Sequence, residues 1–250
     1  MRSVLLARSF LSYGTRYFYR HPTRLGELFE RYKGFQRRLN ELSALIGQPI
    51  DRVEALFDEL NGKDPFFARM NGFWQIPLYA IVEYMHVRLL QPDVVVETGI
   101  EHGLSSKVIL YAMERNGRGT LHSIDLPNAV VEDESSGFVQ QNIMPPGRET
   151  GWMVPTDLRN RWHLYLGDAK ELLPRLLQTL GTIDIFIHDS LHSYEHMLFE
   201  FRTAWPHLRG GGVILSDDID ANCAFYDFAA EVNCQGVIFN DRHVGAIRKP

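Results

Sequence analysis

Three carboxylates and a histidine cluster along the last third of this 250-residue sequence. Asp189 and His192 fall in His188-Asp189-Ser190-Leu191-His192-Ser193-Tyr194, and Asp217-Asp218 follow Gly210-Gly211-Gly212-Val213-Ile214-Leu215-Ser216. Each pair comes directly after an apolar run, and the runs stand one strand–helix–strand crossover apart. If the two strands are neighbours, the three carboxylates converge at adjacent strand ends. Hard oxygen ligands of this kind select Mg²⁺, or Mn²⁺ and Ca²⁺, over softer metals. Without a counter-charge such carboxylates repel one another. Helix capping by Asp189 and turn chemistry at Asp217-Asp218 are the alternative uses of the same residues. His192 lies three residues past Asp189, about one turn if a helix begins there. A histidine of ordinary pKa, about 6.5, can accept a hydroxyl proton at neutral pH, and a metal can lower that hydroxyl's own pKa. His188 is expected to face into the sheet. His196 is expected one turn beyond His192 on the same helix face, and both read equally well as structural.

A second constellation precedes it. Val96-Glu97-Thr98-Gly99-Ile100-Glu101-His102-Gly103-Leu104-Ser105-Ser106 joins a buried strand to a helix. Gly99 and Gly103 permit a tight turn and a close backbone approach to a ligand. The free N–H groups at the helix start, around Ser105, suit an anionic group such as an amino-acid carboxylate. The spacing is G-x-x-x-G, so the dinucleotide fingerprint fails. Asp125 closes the next strand, where a carboxylate can accept from both hydroxyls of a ribose. Gly167-Asp168 closes the third, suited to an exocyclic adenine amine, with the Ala169 N–H beside it for a ring nitrogen. Capping of the following helix is the other use of Asp168. Together the three strand ends describe an adenosyl ligand with a zwitterionic tail, which is S-adenosylmethionine rather than NAD.

The elements that must position these residues change character near residue 92. Before it, apolar residues recur at helical spacing: Leu25, Leu28, Phe29, Tyr32 and Phe35, then Val53, Leu56, Phe57 and Leu60. A further helix is expected from Ile76 to Leu90. After it, strands at 94–96, 120–124, 162–166, 183–187 and 213–215 alternate with helices at 105–115, 169–180, 194–208 and 224–232. Two last strands, 236–239 and 244–247, meet at the turn Asn240-Asp241-Arg242. This predicts an α/β chain with a mostly parallel, doubly wound, seven-stranded sheet over residues 91–250, and a helical extension over 1–90 that serves as lid, substrate contact or oligomer contact. Residues 132–161 fit neither period and are expected to form a lid over the site. Trp74, Trp152 and Met153 are candidates for its substrate wall, or plain core.

A formal net charge of −5 argues against a polyanionic partner, so no nucleic acid is expected. No stretch has the roughly 18 apolar residues of a spanning helix, and the expected location is cytoplasmic. Cys223 and Cys234 lack CxxC spacing, which suits a reducing compartment. Arg2, Arg8, Arg16, Arg20 and Arg24 precede the first acidic residue, Glu27. The first helix is expected to dock on its own domain or on a second copy; a membrane-surface helix or a transit peptide are the other uses.

The E-T-G-x-x-x-G-x-S loop, the I-D strand end, the G-D-A turn and the D-S-x-H-x-Y stretch resemble class I methyltransferases. Within these, they are similar to the metal-dependent O-methyltransferases acting on macrolide and aminocoumarin sugars, and to the cephalosporin-hydroxylase-like proteins beside them. The resemblance covers about residues 90–220 and implies a Rossmann-like methyltransferase fold. It places Glu97 and Gly99 at the methionine end of the cofactor, Asp125 at its ribose and Asp168 at its adenine. It also implies Mg²⁺ on Asp189, Asp217 and Asp218. His192 is the base, since the macrolide-sugar enzymes place a histidine at D-x-x-H. The aminocoumarin pattern, an Asp two residues after the first ligand, is replaced here by Leu191. The expected reaction is transfer of a methyl from S-adenosylmethionine to a hydroxyl of a small molecule, a sugar, vicinal diol or catechol from natural-product biosynthesis. The alternatives are a hydroxylase-like enzyme of the same fold, a dehydrogenase disfavoured by the missing fingerprint, and a non-catalytic binding protein that kept the pocket.

Overall fold

The computed structural model describes residues 38–60, 78–127, 130–133, 138–141, 144–239 and 243–250. The basic segment through Arg24, the apolar series Leu25 to Phe35, Trp74 and the turn Asn240-Asp241-Arg242 lie outside the described residues. The chain divides into two compact units, Met1–Pro77 and Leu78–Pro250. The helix that sequence groups with the N-terminal extension therefore belongs to the unit that holds the sheet.

In the first unit residues 38–46 are helical and helix α1 spans Ile50–Leu60. Its buried residues are Val53, Leu56, Phe57 and Leu60, the i, i+3, i+4, i+7 face expected of an amphipathic helix.

The second unit opens with α2, Leu78–Leu90, and continues as β1 Val94–Thr98, α3 Leu104–Asn116 and β2 Thr120–Asp125. A short antiparallel pair follows, β3 Val130–Asp133 with β4 Phe138–Gln141, then a 3-10 turn at Thr156–Arg161 and β5 Trp162–Leu166. Next come α4 Ala169–Leu180, β6 Ile183–His188, α5 Tyr194–Ala204, β7 Leu208–Ser216 and α6 Ala224–Glu231. The chain closes with β8 Gly236–Phe239 and β9 Val244–Arg248. The main sheet has seven strands in the order β5-β2-β1-β6-β7-β9-β8. Its first five are parallel, and β9 lies antiparallel between β7 and β8.

Strand composition follows burial. β1 is buried over its last four residues, and its apolar run Val94-Val95-Val96 suits a strand covered on both faces, with Glu97 and Thr98 buried at its carboxyl end. The chain leaves β1 toward β2 but leaves β6 toward β7, in opposite directions along the sheet. Right-handed crossovers then place α3 and α5 on opposite faces. α4, α5 and α6 bury Leu173, Leu177, Met197, Phe201, Phe225 and Phe228 against Val96, Phe186 and Ile214 of the strands, while α2 packs on α3. The order reverses between β1 and β6, and a crevice opens there at the carboxyl ends of the strands.

Three elements depart from the sequence expectation. β7 begins five residues early and runs through Gly210-Gly211-Gly212, where an irregular register against β6 absorbs the glycines. α5 ends at Ala204 rather than Leu208, because Pro206 starts a 3-10 turn over Trp205–His207. The segment expected as an irregular lid contains β4 and the 3-10 turn. Among the described residues no helix is long and apolar enough to cross a membrane.

Asp184 ties the sheet together away from the crevice. Its carboxylate accepts the backbone N–H groups of Asp93 and Val94, both at 2.9 Å, and pairs with Arg209 at the start of β7. Asp184→Ala leaves two strand-entry donors without a protein partner and is expected to cost about 2–3 kcal/mol in urea unfolding, at roughly 1 kcal/mol per hydrogen bond. Asp184→Asn keeps an acceptor oxygen and should cost less.

Candidate active site

The crevice at the strand reversal has a volume of about 520 Å³ and is walled by the segments following β1, β2, β5 and β6. Two of those segments touch through backbone. Asp189 N–H donates to the Thr98 carbonyl at 3.0 Å. At Gly99, φ is +75°, and a Cβ would lie 2.0 Å from the Asp189 carbonyl oxygen. Glycine is required there by both conformation and space. Gly103, at φ +86°, caps α3 without any side-chain partner for the first turn. Its absent Cβ leaves room for Gly151, whose Cα would be 2.7 Å away. The backbone N–H groups of Gly151 and Met153 donate to the carbonyls of Glu101 and His102. So the segment expected as a lid is stitched to the first loop.

Asp125 occupies the wall at the end of β2. One carboxylate oxygen accepts the N–H groups of Ile100 and Glu101 at 3.0 and 3.2 Å, and the other accepts the Thr150 hydroxyl at 3.2 Å. Asp168 caps α4, accepting the Lys170 N–H at 2.8 Å, and lines the crevice with Gly167 and Ala169. Asp168 thus caps the helix and faces the crevice at once. Ser105, buried in the first turn of α3, also lines it, where free helix N–H groups favour an anion.

Glu97, Thr98 and Gly103 sit behind this wall. Glu97 is buried and accepts the hydroxyls of Ser106 and Ser123 on one oxygen. Burial pushes its carboxyl up to about 7, against the lowering effect of the serine hydroxyls. Thr98 donates its hydroxyl to Glu200 at 2.6 Å.

β6 and β7 are parallel neighbours with His188 opposite Ser216, so Asp189 and Asp217 do emerge side by side, as the crossover spacing required. Asp217 N–H donates to the His188 carbonyl at 2.9 Å. Burial, followed by Asp217 and Asp218, holds the Asp189 carboxyl well above the ordinary range. Burial, then Asp218, raises Asp217 to about 6. Asp218 has φ +46° and its carboxylate reaches toward His243 and Asp220. Among the described residues, the one group of three acidic or histidine side chains whose ligand atoms come within 4.8 Å of one another is Asp218, Asp220 and His243, all exposed. Asp218 thus faces His243 with one carboxylate oxygen and His192 with the other, and its charge raises both Asp189 and Asp217.

His192 lies between Asp189 and Asp218, at 3.7 and 3.9 Å. The expected helical turn from Asp189 to His192 is absent, because Ser193 caps α5 and the helix begins at Tyr194. Burial, then the neighbouring His188, lowers the His192 imidazole to about 3. His192 does not line the crevice, whereas His196 does. His188 is fully buried and bonds to Glu200.

Met153 lines the crevice as expected, whereas Trp152 stands beside His102 on the outer surface, beneath the Arg148 guanidinium. Tyr79, Glu101, Lys170, Ser190 and His196 also line it and were not singled out from sequence as ligands. Glu101 lies inside the glycine loop and Lys170 directly after the Asp168 cap, so their positions after strands were the available signal. Nothing local flagged Tyr79, which arrives on a helix preceding the first strand.

A family model described as a methyltransferase domain matches residues 96–219. No curated protein matches the chain. Solved structures share its fold: cofactor-bound Rv0187 from MTB, at 16% identity and TM-score 0.53 over 78% of this chain and 95% of that one; SAH-bound methyltransferase PaMTH1 from Podospora anserina, at 14% and 0.51 over 80% and 94%; and CalS11, a calicheamicin methyltransferase, at 16% and 0.51 over 85% and 91%. Identities this low show the fold alone.

The raised carboxyl of Glu97 has a consequence for stability. Its folded-state pKa, about 7, exceeds the unfolded value of roughly 4.3, so the folded state holds a proton the unfolded state has lost. The contribution is present below pH 4.3 and disappears as pH rises through 7. Glu97→Gln keeps an acceptor for both serines and does not titrate. Urea unfolding from pH 4 to 8 should show the variant gaining roughly 3 kcal/mol on the parent, at about 1.36 kcal/mol per pKa unit. A difference that is flat with pH would contradict the assignment.

Proposed function

We propose that this chain, whose residues 96–219 match a methyltransferase-domain model, is a class I S-adenosylmethionine-dependent methyltransferase that passes the methyl to a hydroxyl oxygen of a small molecule. The observation that carries the cofactor's placement is the common wall formed by Gly99, Asp125 and Asp168. There, two carboxylates at successive strand ends and the uncapped start of α3 face one space. Asp125 would take the ribose, Asp168 and the Ala169 N–H the adenine, and the start of α3 with Gly99 the amino-acid tail. Glu97 and Thr98 would support that end from behind.

A volume of about 520 Å³ is of small-ligand size, and one protein alike in fold acts in calicheamicin methylation by its name. Both support a natural-product sugar, diol or catechol as acceptor. The sulfonium carries an activated methyl, so the protein has mainly to align donor and acceptor and receive one proton. Asp189 and Asp217 would hold a hard divalent cation such as Mg²⁺, with Asp218 beside them. When bound it would supply positive charge that gathers neighbouring acceptor oxygens and lowers a hydroxyl's pKa. The resemblance gives the proton to His192, which lies between Asp189 and Asp218.

Calorimetry and thermal unfolding test the reading. S-adenosylhomocysteine at a hundred times its Kd should stabilise the full chain by about 2.7 kcal/mol, and Asp168→Ala should weaken that binding at least tenfold. Mg²⁺ should add stabilisation that Asp189→Asn and Asp217→Asn abolish. No response to S-adenosylhomocysteine would overturn the cofactor assignment, and Mg²⁺ stabilisation surviving both substitutions would overturn the metal assignment.

A further inference from the structure

Glu200 of α5 has no exposed surface and accepts four hydrogen bonds. The donors are His188 Nδ1 at 2.6 Å, Thr98 Oγ1 at 2.6 Å, Ser190 Oγ at 2.9 Å and His196 Nε2 at 3.0 Å. Burial alone would push its carboxyl up, but His188, His196 and these bonds hold it well below the ordinary range. An ionised carboxylate can only accept. Each histidine must therefore present a proton to it, and the form of His196 that holds a single proton while doing so holds it on Nε2. Its Nδ1 is then a bare lone pair. That atom is buried and has no hydrogen-bond partner, an uncommon state for a native polar atom and one that calls for a donor.

We propose that His196, oriented by Glu200, is the base that takes the acceptor's hydroxyl proton, in place of His192. The proposal rests on the methyl-transfer reading above. Location favours it: His196 lines the crevice beside Asp189, Ser190 and Leu191, while His192 does not. His188, the other histidine on Glu200, is fully buried and lies outside that lining. Chemistry favours it as well. A proton arriving on Nδ1 makes an imidazolium whose Nε2–H already faces an anionic oxygen at 3.0 Å, so Glu200 stabilises the charge as it forms and fixes the ring's tautomer beforehand. In the step, an oxygen lone pair of the acceptor bonds to the sulfonium methyl. The carbon–sulfur bond breaks with its electrons left on sulfur, giving neutral S-adenosylhomocysteine. The acceptor O–H bond breaks and its proton passes to His196 Nδ1, from which it leaves to solvent after product release.

The test uses the full chain. A parent protein that binds no S-adenosylhomocysteine overturns the methyl-transfer reading and this proposal with it; binding isolates the question of the base. In the S-adenosylhomocysteine complex with histidines labelled in ¹⁵N, long-range proton–nitrogen spectra should show His196 protonated on Nε2 and bare at Nδ1. Glu200→Gln should erode that preference. A proton on Nδ1 overturns the proposal. Methyl transfer from S-adenosylmethionine to catechol is the second readout. General-base loss should lower kcat about 100-fold or more in His196→Gln, with S-adenosylhomocysteine affinity unchanged, and His192→Gln should lose less. Transfer at the parent's rate by His196→Gln, or a greater loss in His192→Gln, overturns the proposal. Where catechol is not methylated, the spectra decide alone.

Discussion

A carboxylate with no exposed surface stands where β1 and β6 end, and both strand ends hang on it. Glu200 draws Thr98 from one strand, His188 and Ser190 from the other, and His196 from its own helix. A buried charge is costly unless paired and hydrogen-bonded, and removing its partners from such a site typically costs about 3–5 kcal/mol. Its complement of four donors leaves the surrounding loops little freedom. The Gly99 backbone then rests directly on that of Asp189. The crevice takes its shape from that contact, because one wall carries the glycine loop and the other the acid and histidine residues.

The other acids near the crevice are in the opposite state. Glu97, Asp189 and Asp217 are all raised, by burial first and by neighbouring carboxylates as well. Glu83 of α2 is raised too, by burial and then by Glu97, Asp189 and Asp217. Tyr79, one turn earlier, is raised by burial and then by Glu83, Asp189 and Asp217. So one carboxylate is fully answered by donors within the protein, while several around the crevice lack a counter-charge. A positively charged ligand relieves that repulsion, whether a sulfonium, an ammonium or a divalent ion. The fold thus stores unfavourable electrostatics where binding can discharge it, and spends its histidines on the single acid beneath.

Much of the sheet was legible locally. β5 and α4 fall on their expected bounds, because an apolar run closed by Gly167-Asp168 both ends a strand and caps a helix. β7 was legible only at its apolar end, since a triple glycine reads as a turn and only pairing with β6 makes it strand. The hairpin strands β8 and β9 were visible, but nothing in their residues announces that β9 docks on β7. Asp125, Asp168 and Gly99 were recognisable from their positions after strands. His196 was passed over as structural because its significance lies in Glu200 and in the crevice wall, neither of which its neighbours in sequence reveal.

The sequence by itself determined which residue types stand at strand ends, and hence the α/β class, the glycines and acids that close the strands, and the acids one crossover apart. These are properties of period and punctuation, carried by a few adjacent residues. Only the tertiary structure decided that Asp218 stands between His192 and His243 while Asp189 and Asp217 emerge together, that Glu97 lies behind the wall rather than on it, and that His196 rather than His192 meets the crevice. Each of those outcomes depends on backbone dihedrals and on contacts between residues far apart in the chain. A local pattern holds the residues available for chemistry, and long-range packing selects which of them face the same space.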